Sequence, residues 1–310
     1  MASAWTPIEV KRATLPSALE LPYVEQGDEA GLPVVLLHGY ADSWRSFELV
    51  LPHLPRSIRA IAVTQRGHGE ADKPASGYEV TDFVADLVAF LDALGLERVV
   101  LVASSSASFT AQRFAVDNPH RTLGLVLIGV PWSLGDAAES DLAKDVFALS
   151  DPVDPAFVRE FVASTVFGQL SPVFLEELVG ESLKVPARVW KATLEGLLEA
   201  VPAAASGTIA APTLIVWGDR DNFVLREDQE RLTAAISNSR LVVYEGVGHA
   251  VHWEQPERVA ADIEAFLEVL TQSADASFAE ALRVAEYGEL DDVSPEEQSD
   301  RPVGDDAQLS

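Results

Sequence analysis

The sequence predicts an α/β protein: a mostly parallel, twisted sheet of about eight strands flanked by helices, with a helical segment inserted between two of the strands. Three observations carry this reading. Short, β-branched apolar runs alternate with helical periodicity in the first half of the chain. Residues 133–208 then show helical runs without a strand pattern, and strand-like runs resume at Thr213. Strand–helix–strand alternation builds a parallel sheet with helices on both faces.

The elements follow in chain order. Leu19–Glu25, Val34–Leu37 and Ile58–Val63 read as strands, because uninterrupted apolar runs of this length suit strands buried on both faces. From Val80 to Leu94, the residues Phe83, Val84, Leu87, Val88, Leu91 and Leu94 form a helical stripe, which Thr81 or Asp82 can cap and Gly95 can end. Val99–Val102 is the next strand, Phe109–Ala115 a helix closed before Pro119, and Leu125–Ile128 a further strand. The segment 133–208 carries Phe147, Phe157, Phe161, Phe167, Phe174 and Trp190, as expected of a helical cap packed onto a body by its aromatic side chains. Thr213–Val216 and Leu241–Tyr244 complete the strands, and a helix runs from Pro256, well placed in a first turn, to Leu270. The expected division is therefore a body of residues 1–132 and 209–274, a cap of 133–208, and an acidic tail of 275–310. Within the tail, Ser277–Tyr287 reads as one more helix, and the polar stretch from Gly288 as a disordered end.

Composition excludes several classes. The 310 residues hold 22 Lys plus Arg against 49 Asp plus Glu, a formal charge of −27, with no Cys. The acid excess leaves no basic stripe of the kind a nucleic-acid binder needs. Without Cys there is no disulfide framework, thiolate metal site or Cys nucleophile. A hydrophobic content of 48% supplies a large core. Met1–Val10 has neither a cationic nor a long apolar leader segment, and no run approaches the ~18 apolar residues of a membrane helix, so a cytoplasmic protein without a membrane partner is expected. One third of the net charge falls in 275–310, where eleven acids meet two arginines, outside the chemistry read below.

Three side chains directly follow strands. Ser105 stands in LVASSSASF, Asp221 in TLIVWGDRDNFV and His249 in EGVGHAVHWEQPERV. A Ser on a sharp strand-to-helix turn sits exposed at the top of a sheet, with the helix N-terminus offering free N–H groups to a developing oxyanion. Its hydroxyl is a poor nucleophile until a His takes its proton, and an acid fixes the imidazole tautomer and stabilises the imidazolium. Neighbours compete for each role: Ser104 or Ser106 with Ser105, Asp219 with Asp221, and His252 with His249. The register of the elbow and the Gly248-His249 context favour Ser105 and His249. His38 and His68 are expected to satisfy loop hydrogen bonds. The six histidines form no HExxH motif or ligand cluster, and GHG and GVG lack the spacing of a dinucleotide fingerprint, so neither a metal nor a cofactor is expected.

Taken together, VVLLHGYADSW at 34–44, RGHGEADKP at 66–74, LVASSSASFTAQRFA at 101–115, PTLIVWGDRD at 212–221 and GVGHAVHWEQPERV at 246–259 make the chain resemble the capped, epoxide-hydrolase-like and haloperoxidase-like branch of the α/β-hydrolase-fold superfamily. The resemblance implies the α/β-hydrolase fold, and favours Asp221 as the acid of a Ser105–His249–Asp221 triad. It also implies an oxyanion hole from the backbone N–H groups of Tyr40 and Ser106. Departures from the family pattern are local. Ala103-Ser104-Ser105-Ser106-Ala107-Ser108 replaces a Gly-rich elbow, Thr64 and Gln65 stand where an acid is usual, and Ala71 replaces a Ser. Epoxide hydrolases and haloalkane dehalogenases of this branch use an Asp nucleophile, and Ser105 argues against both activities.

The expected function is that of a cofactor-independent serine hydrolase. Its partners are a small, fairly apolar carboxylic ester or lactone and water, with a second copy of the chain as a further expected partner. Trp44, Trp132 and Trp190 are candidates for the pocket wall. Alternatives on the same fold are C–C bond hydrolysis of a diketone-type substrate, with Arg188 or Arg113 meeting an acid group, perhydrolysis, and a non-enzymatic ligand-binding or signalling role.

Overall fold

Lys11–Thr14 (β1), Glu20–Gly27 (β2), Leu32–Leu37 (β3), Ile58–Val63 (β4), Val99–Ser104 (β5), Thr122–Ile128 (β6), Thr213–Gly218 (β7) and Ser239–Tyr244 (β8) make one sheet in the computed structural model, which describes residues 9–288 and, for residue 136 and residues 273–288, the backbone alone. The spatial order is β1-β2-β4-β3-β5-β6-β7-β8. β1 with β2 and β2 with β4 are antiparallel, and every later pairing is parallel. The central strands β3, β5, β6 and β7 carry Val34–Leu37, Val99–Ser104, Gly124–Ile128 and Thr213–Gly218, all buried, which is why their sequences are apolar without alternation. β1 (KRAT) is the edge strand; Lys11 and Thr14 pair with Tyr23 and Glu20, and only Ala13 turns a buried side chain inward.

Val80–Ala93 (α1) and Ala107–Asp117 (α2) pack together against the sheet, where Phe90, Leu91, Phe114 and Leu101 are fully buried. Glu79 and Asp82 form a reciprocal capping box at the start of α1, in place of the expected Thr81 or Asp82 side-chain cap. Between β6 and β7 lie Asp141–Ala148 (α3), Pro155–Ser164 (α4), Pro172–Ser182 (α5), Ala187–Leu198 (α6) and Ala203–Ser206 (α7), and no strand. Ser140, Asp154 and Ser171 cap α3, α4 and α5 with their side chains. These inserted helices bury a second apolar cluster around Trp190, Val158, Val189 and Leu178, which takes in Ala41 and Tyr78 from the body. Arg226–Ala235 (α8) links β7 to β8, and Val251–Glu254 (α9) follows the loop after β8.

The chain divides into two units, residues 1–267 and 268–310. In the first, Val259, Ile263 and Phe266 are buried core residues. In the second, the described residues are helical. The helix expected to stop at Leu270 continues to Gly288 (α10, Pro256–Gly288), because TQSADAS at 271–277 contains neither Pro nor Gly to end it. The end expected to be disordered falls on 289–310, outside the described residues. Among the described residues no helix is long and apolar enough to cross a membrane.

Candidate active site

Ser105 lies between the last residue of β5 and the start of α2, at φ 50°, in the left-handed region. For a side-chain-bearing residue that conformation costs about 1–2 kcal/mol and is held by its surroundings: the Ser105 N–H donates to Ile128 O at 2.8 Å, and the Ser108 N–H and hydroxyl both donate to Ser105 O. Ala103 and Ala107, standing where glycines are usual, are buried at the tight elbow, and the strain falls on Ser105 itself. A Cβ on Gly39 would stand 3.3 Å from Ser105 Cβ, so this Gly lets the loop after β3 run directly beside the elbow.

The loops after β7 and β8 bring Asp221 and His249 to the same point. His249 Nε2 lies 2.8 Å from Ser105 Oγ, and His249 Nδ1 lies 2.8 Å from Asp221 Oδ2. The other Asp221 oxygen accepts the Phe223 and Val224 N–H groups at 2.8 and 3.0 Å, and its side chain is wholly buried. This leaves the carboxylate one direction in which to meet the imidazole. Backbone closeness makes the arrangement possible: Gly218 has Gly248 O and Val247 O where a Cβ would go, and Gly129, at φ 57°, backs onto the His249 ring. Phe223 covers the ring from a centroid distance of 5.2 Å. The competing residues are engaged elsewhere. Asp219 accepts the Gly246 N–H, and His252 bonds Ser46 Oγ at 2.9 Å. His38 bonds Gly39 O and the Gln65 N–H, and His68 bonds Arg66 O.

A cavity of about 340 Å³ opens over Ser105 and His249. Its walls come from Tyr40, from Pro131 and Leu134 after β6, from Leu142, Val146, Phe161 and Leu194 on the inserted helices, and from Asn222 and Phe223. Its sole ionisable lining groups are Tyr40 and His249; no Lys or Arg reaches it among the described residues. Tyr40 and Ser106 both line it, and neither backbone N–H has an acceptor among the described residues. None of Trp44, Trp132 and Trp190 lines it, a correction to the sequence expectation. Trp190 is buried behind the wall, with Tyr40, Phe161 and Phe157 packed edge-on at 5.0, 5.3 and 5.7 Å, and its carbonyl accepts the Tyr40 hydroxyl. Trp44, within the loop after β3, is buried with Arg45 over its ring, and half-buried Trp132 packs against the sheet's core cluster with Arg231 over its ring. Arg188 donates to Lys73 O and Pro74 O, and Arg113 pairs with Asp117, both away from the cavity. Most lining residues come from loops and helices with no motif, and only the Phe-rich composition of 133–208 pointed to Phe161.

Glu254 ties the inserted helices to the His249 loop. Its carboxylate accepts the Phe167, Gly168 and Gly248 N–H groups at 3.1, 2.6 and 2.7 Å, while the Ala250 N–H donates to Thr165 O. Beside it lie two buried titratable groups. Burial pushes His252 down to about 3, with the nearby His249 adding to the shift. Burial pushes Asp42 up to about 7, against hydrogen bonds from Ser46 and the Ser43 N–H and with Glu181 adding to the rise.

Residues 34–262 match the family described as the Alpha/beta hydrolase family. The chain belongs to this family. The alpha/beta hydrolase chain is 30% identical to the 2-hydroxy-6-oxo-2,4-heptadienoate hydrolase of Pseudomonas putida, over 80% of its own length and 92% of that protein. It is 26% identical to epoxide hydrolase 4 of Mus musculus, over 83% and 78% of the two lengths. Among solved structures it resembles an esterase from Rhodococcus sp. ECU1013, with a TM-score of 0.74 and 25% identity, covering 84% of this chain and 99% of the other. Its eight-stranded sheet is that of the family fold.

Proposed function

We propose that this alpha/beta hydrolase cleaves small, apolar carboxylic esters or lactones through an acyl-enzyme on Ser105. The observation that carries the reading is the chain Ser105 Oγ–His249–Asp221, with both links at 2.8 Å, opening into a cavity without fixed positive charge. His249 takes the Ser105 proton as Oγ attacks the carbonyl carbon and then delivers it to the leaving oxygen; water repeats the sequence to release the acid and restore Ser105. Asp221, fixed by two backbone N–H groups, holds the Nδ1–H tautomer and stabilises the imidazolium. In this reading the Tyr40 and Ser106 N–H groups serve as donors to the developing oxyanion, where each donor is worth about 10²–10³ in rate. A volume of about 340 Å³ sits at the small end of ligand pockets and suits a short-chain or monocyclic substrate.

C–C hydrolysis has the support of the relative named 2-hydroxy-6-oxo-2,4-heptadienoate hydrolase. The substrate in that name is an anion, and among the described residues no Lys or Arg lines the cavity to receive one, so the ester or lactone reading is preferred. The test is turnover of p-nitrophenyl butyrate and a γ-lactone beside a vinylogous 1,5-diketone acid, with Ser105→Ala as control. Ester or lactone turnover, fluorophosphonate labelling of the wild type and a loss of about 10³-fold or more in Ser105→Ala are expected. A folded protein that neither labels nor turns over, or equal activity in Ser105→Ala, refutes the proposal.

A further inference from the structure

A second, smaller cavity, of about 50 Å³, shares Tyr40, Ser105, Phe161 and His249 with the large one and differs from it in chemistry. Where the large cavity is walled by hydrocarbon, this one adds Asp42, Ser104, Thr165 and His252. All four of these polar residues are more than nine-tenths buried, and His252, only 2% exposed, keeps Nδ1 without a protein partner among the described residues. Its other ring nitrogen is held by Ser46, whose hydroxyl also receives Trp253 Nε1–H at 3.1 Å. A buried unpartnered ring nitrogen costs stability unless something small and polar meets it. A cavity admits water from roughly 10–15 Å³ upward when it offers two to four polar partners, so the volume and the lining both suit bound water.

We infer that Asp42, Thr165 and His252 form a subsite for the hydrolytic water, which delivers it to the acyl-enzyme at Ser105 from a compartment separate from the acyl group. The inference rests on the Ser105 acyl-enzyme reading. The water donates one proton to His249 Nε2 as its oxygen bonds to the acyl carbon. The carbon–Oγ bond then breaks, the proton passes from His249 to Ser105 Oγ, and the carboxylic acid leaves. Above about pH 7, where Asp42 is ionised, the second water proton points to its carboxylate, which fixes the lone pair toward the carbonyl. Its Oδ1 receives the Ser43 N–H and its carboxyl group the Ser46 hydroxyl, which leaves acceptor capacity toward the cavity. An apolar acyl group filling the large cavity excludes bulk water from Ser105, which is the circumstance in which a dedicated water position controls the second half-reaction.

The test separates acylation from deacylation on p-nitrophenyl butyrate by stopped flow, and measures the partition of the acyl group between water and added methanol. The variants are Asp42→Leu, which replaces the carboxylate with hydrocarbon, and Thr165→Val, which removes a hydroxyl at constant shape. Both are expected to keep the burst rate within about threefold while slowing deacylation about tenfold or more, and to raise the ratio of methyl ester to acid. Should Asp42→Leu fail to fold, Thr165→Val decides alone. An intact burst with unchanged deacylation and an unchanged partition ratio overturns the water subsite and leaves the Ser105 reading standing. Absence of any burst or fluorophosphonate label in the wild type overturns the Ser105 reading itself, and the subsite with it.

Discussion

Gly129 and Gly246 both hold left-handed backbone, at φ 57° and 73°, and only one of them touches the imidazole. A Cβ at position 129 would lie 3.1 Å from His249 Cε1 and Nδ1 and 3.0 Å from His249 O, whereas a Cβ at 246 meets nothing within 4 Å. Gly129→Ala and Gly246→Ala therefore share a backbone cost of about 1–2 kcal/mol, or a fall in Tm of roughly 2–8 °C for a unit of this size. They differ in one contact. Carbon atoms rest about 3.5–4.0 Å apart, so the ring must retreat by roughly half an ångström, away from the 2.8 Å bonds it makes to Ser105 and Asp221. A 1 Å misplacement costs on the order of 10²-fold in rate, and half of it about tenfold. The expected result is a loss of about tenfold or more in kcat/KM on p-nitrophenyl butyrate for Gly129→Ala, and less than about twofold for Gly246→Ala, at similar Tm. Thermal melts beside steady-state kinetics measure both quantities on the same samples. Wild-type kcat/KM in Gly129→Ala despite the Tm loss, or equal activity losses in the two variants, refutes the reasoning.

Two further outcomes concern stability. Arg66 meets both Asp86 oxygens at 2.5 Å with side chains only 10% and 9% exposed; Asp86→Ala leaves that guanidinium buried without its carboxylate and is expected to cost about 3–5 kcal/mol in urea unfolding, a loss under about 1 kcal/mol contradicting it. Asp42, pushed up to about 7 from 3.8, binds a proton in the folded state that the unfolded chain releases, so acidification from pH 7 to 5 strengthens the fold through this group. Removing it in Asp42→Asn should make stability fall more on acidification than in the wild type, by about 2 kcal/mol over that interval, and parallel profiles contradict the assignment. Buried His252 and His68, pushed down to about 3 and about 4, act in the opposite sense, since the unfolded chain takes up their protons below about pH 6.5 and the folded one does not.

Much of the body was legible because burial on both faces writes continuous apolar runs: Ile58–Val63 coincides with β4, the run read from Leu19 begins one residue before β2, and the other expected strands lie inside β3 and β5–β8. β1 was invisible for the opposite reason, since an edge strand reading KRAT buries one residue and takes its register from Glu20–Tyr23. α8, REDQERLTAA, escaped because only Gln229 and Leu232 are buried, too few to mark a stripe. Ser105, Asp221 and His249 were legible because each follows a strand: Gly218 and Gly248 permit the close backbone approach in the Asp221 and His249 loops, and the Ser105 elbow keeps the small Ala103 and Ala107. The cavity wall was not. Aromatic residues announce burial without saying on which side of a wall they stand; Trp190 lies behind Tyr40 and Phe161 instead of beside them. Asp42 and His252, 210 positions apart, meet only through the tertiary fold around Ser46.

The carboxylate of Glu254 has a bearing on how such proteins are recombined. One of its oxygens accepts the Phe167 and Gly248 N–H groups and the other the Gly168 N–H, and Tyr40 is likewise shared, lining the cavity while its ring and hydroxyl meet Trp190 on the inserted helices. The helices between β6 and β7 are thus not an interchangeable lid. A chimera that transplants residues 133–208 alone would place foreign backbone in the three hydrogen bonds that join this segment to the His249 loop, Phe167 and Gly168 to Glu254 and Ala250 to Thr165, and leave Tyr40 facing foreign side chains. The heritable unit of specificity is that segment together with positions 40 and 254, and a donor sequence must be chosen to match at all three.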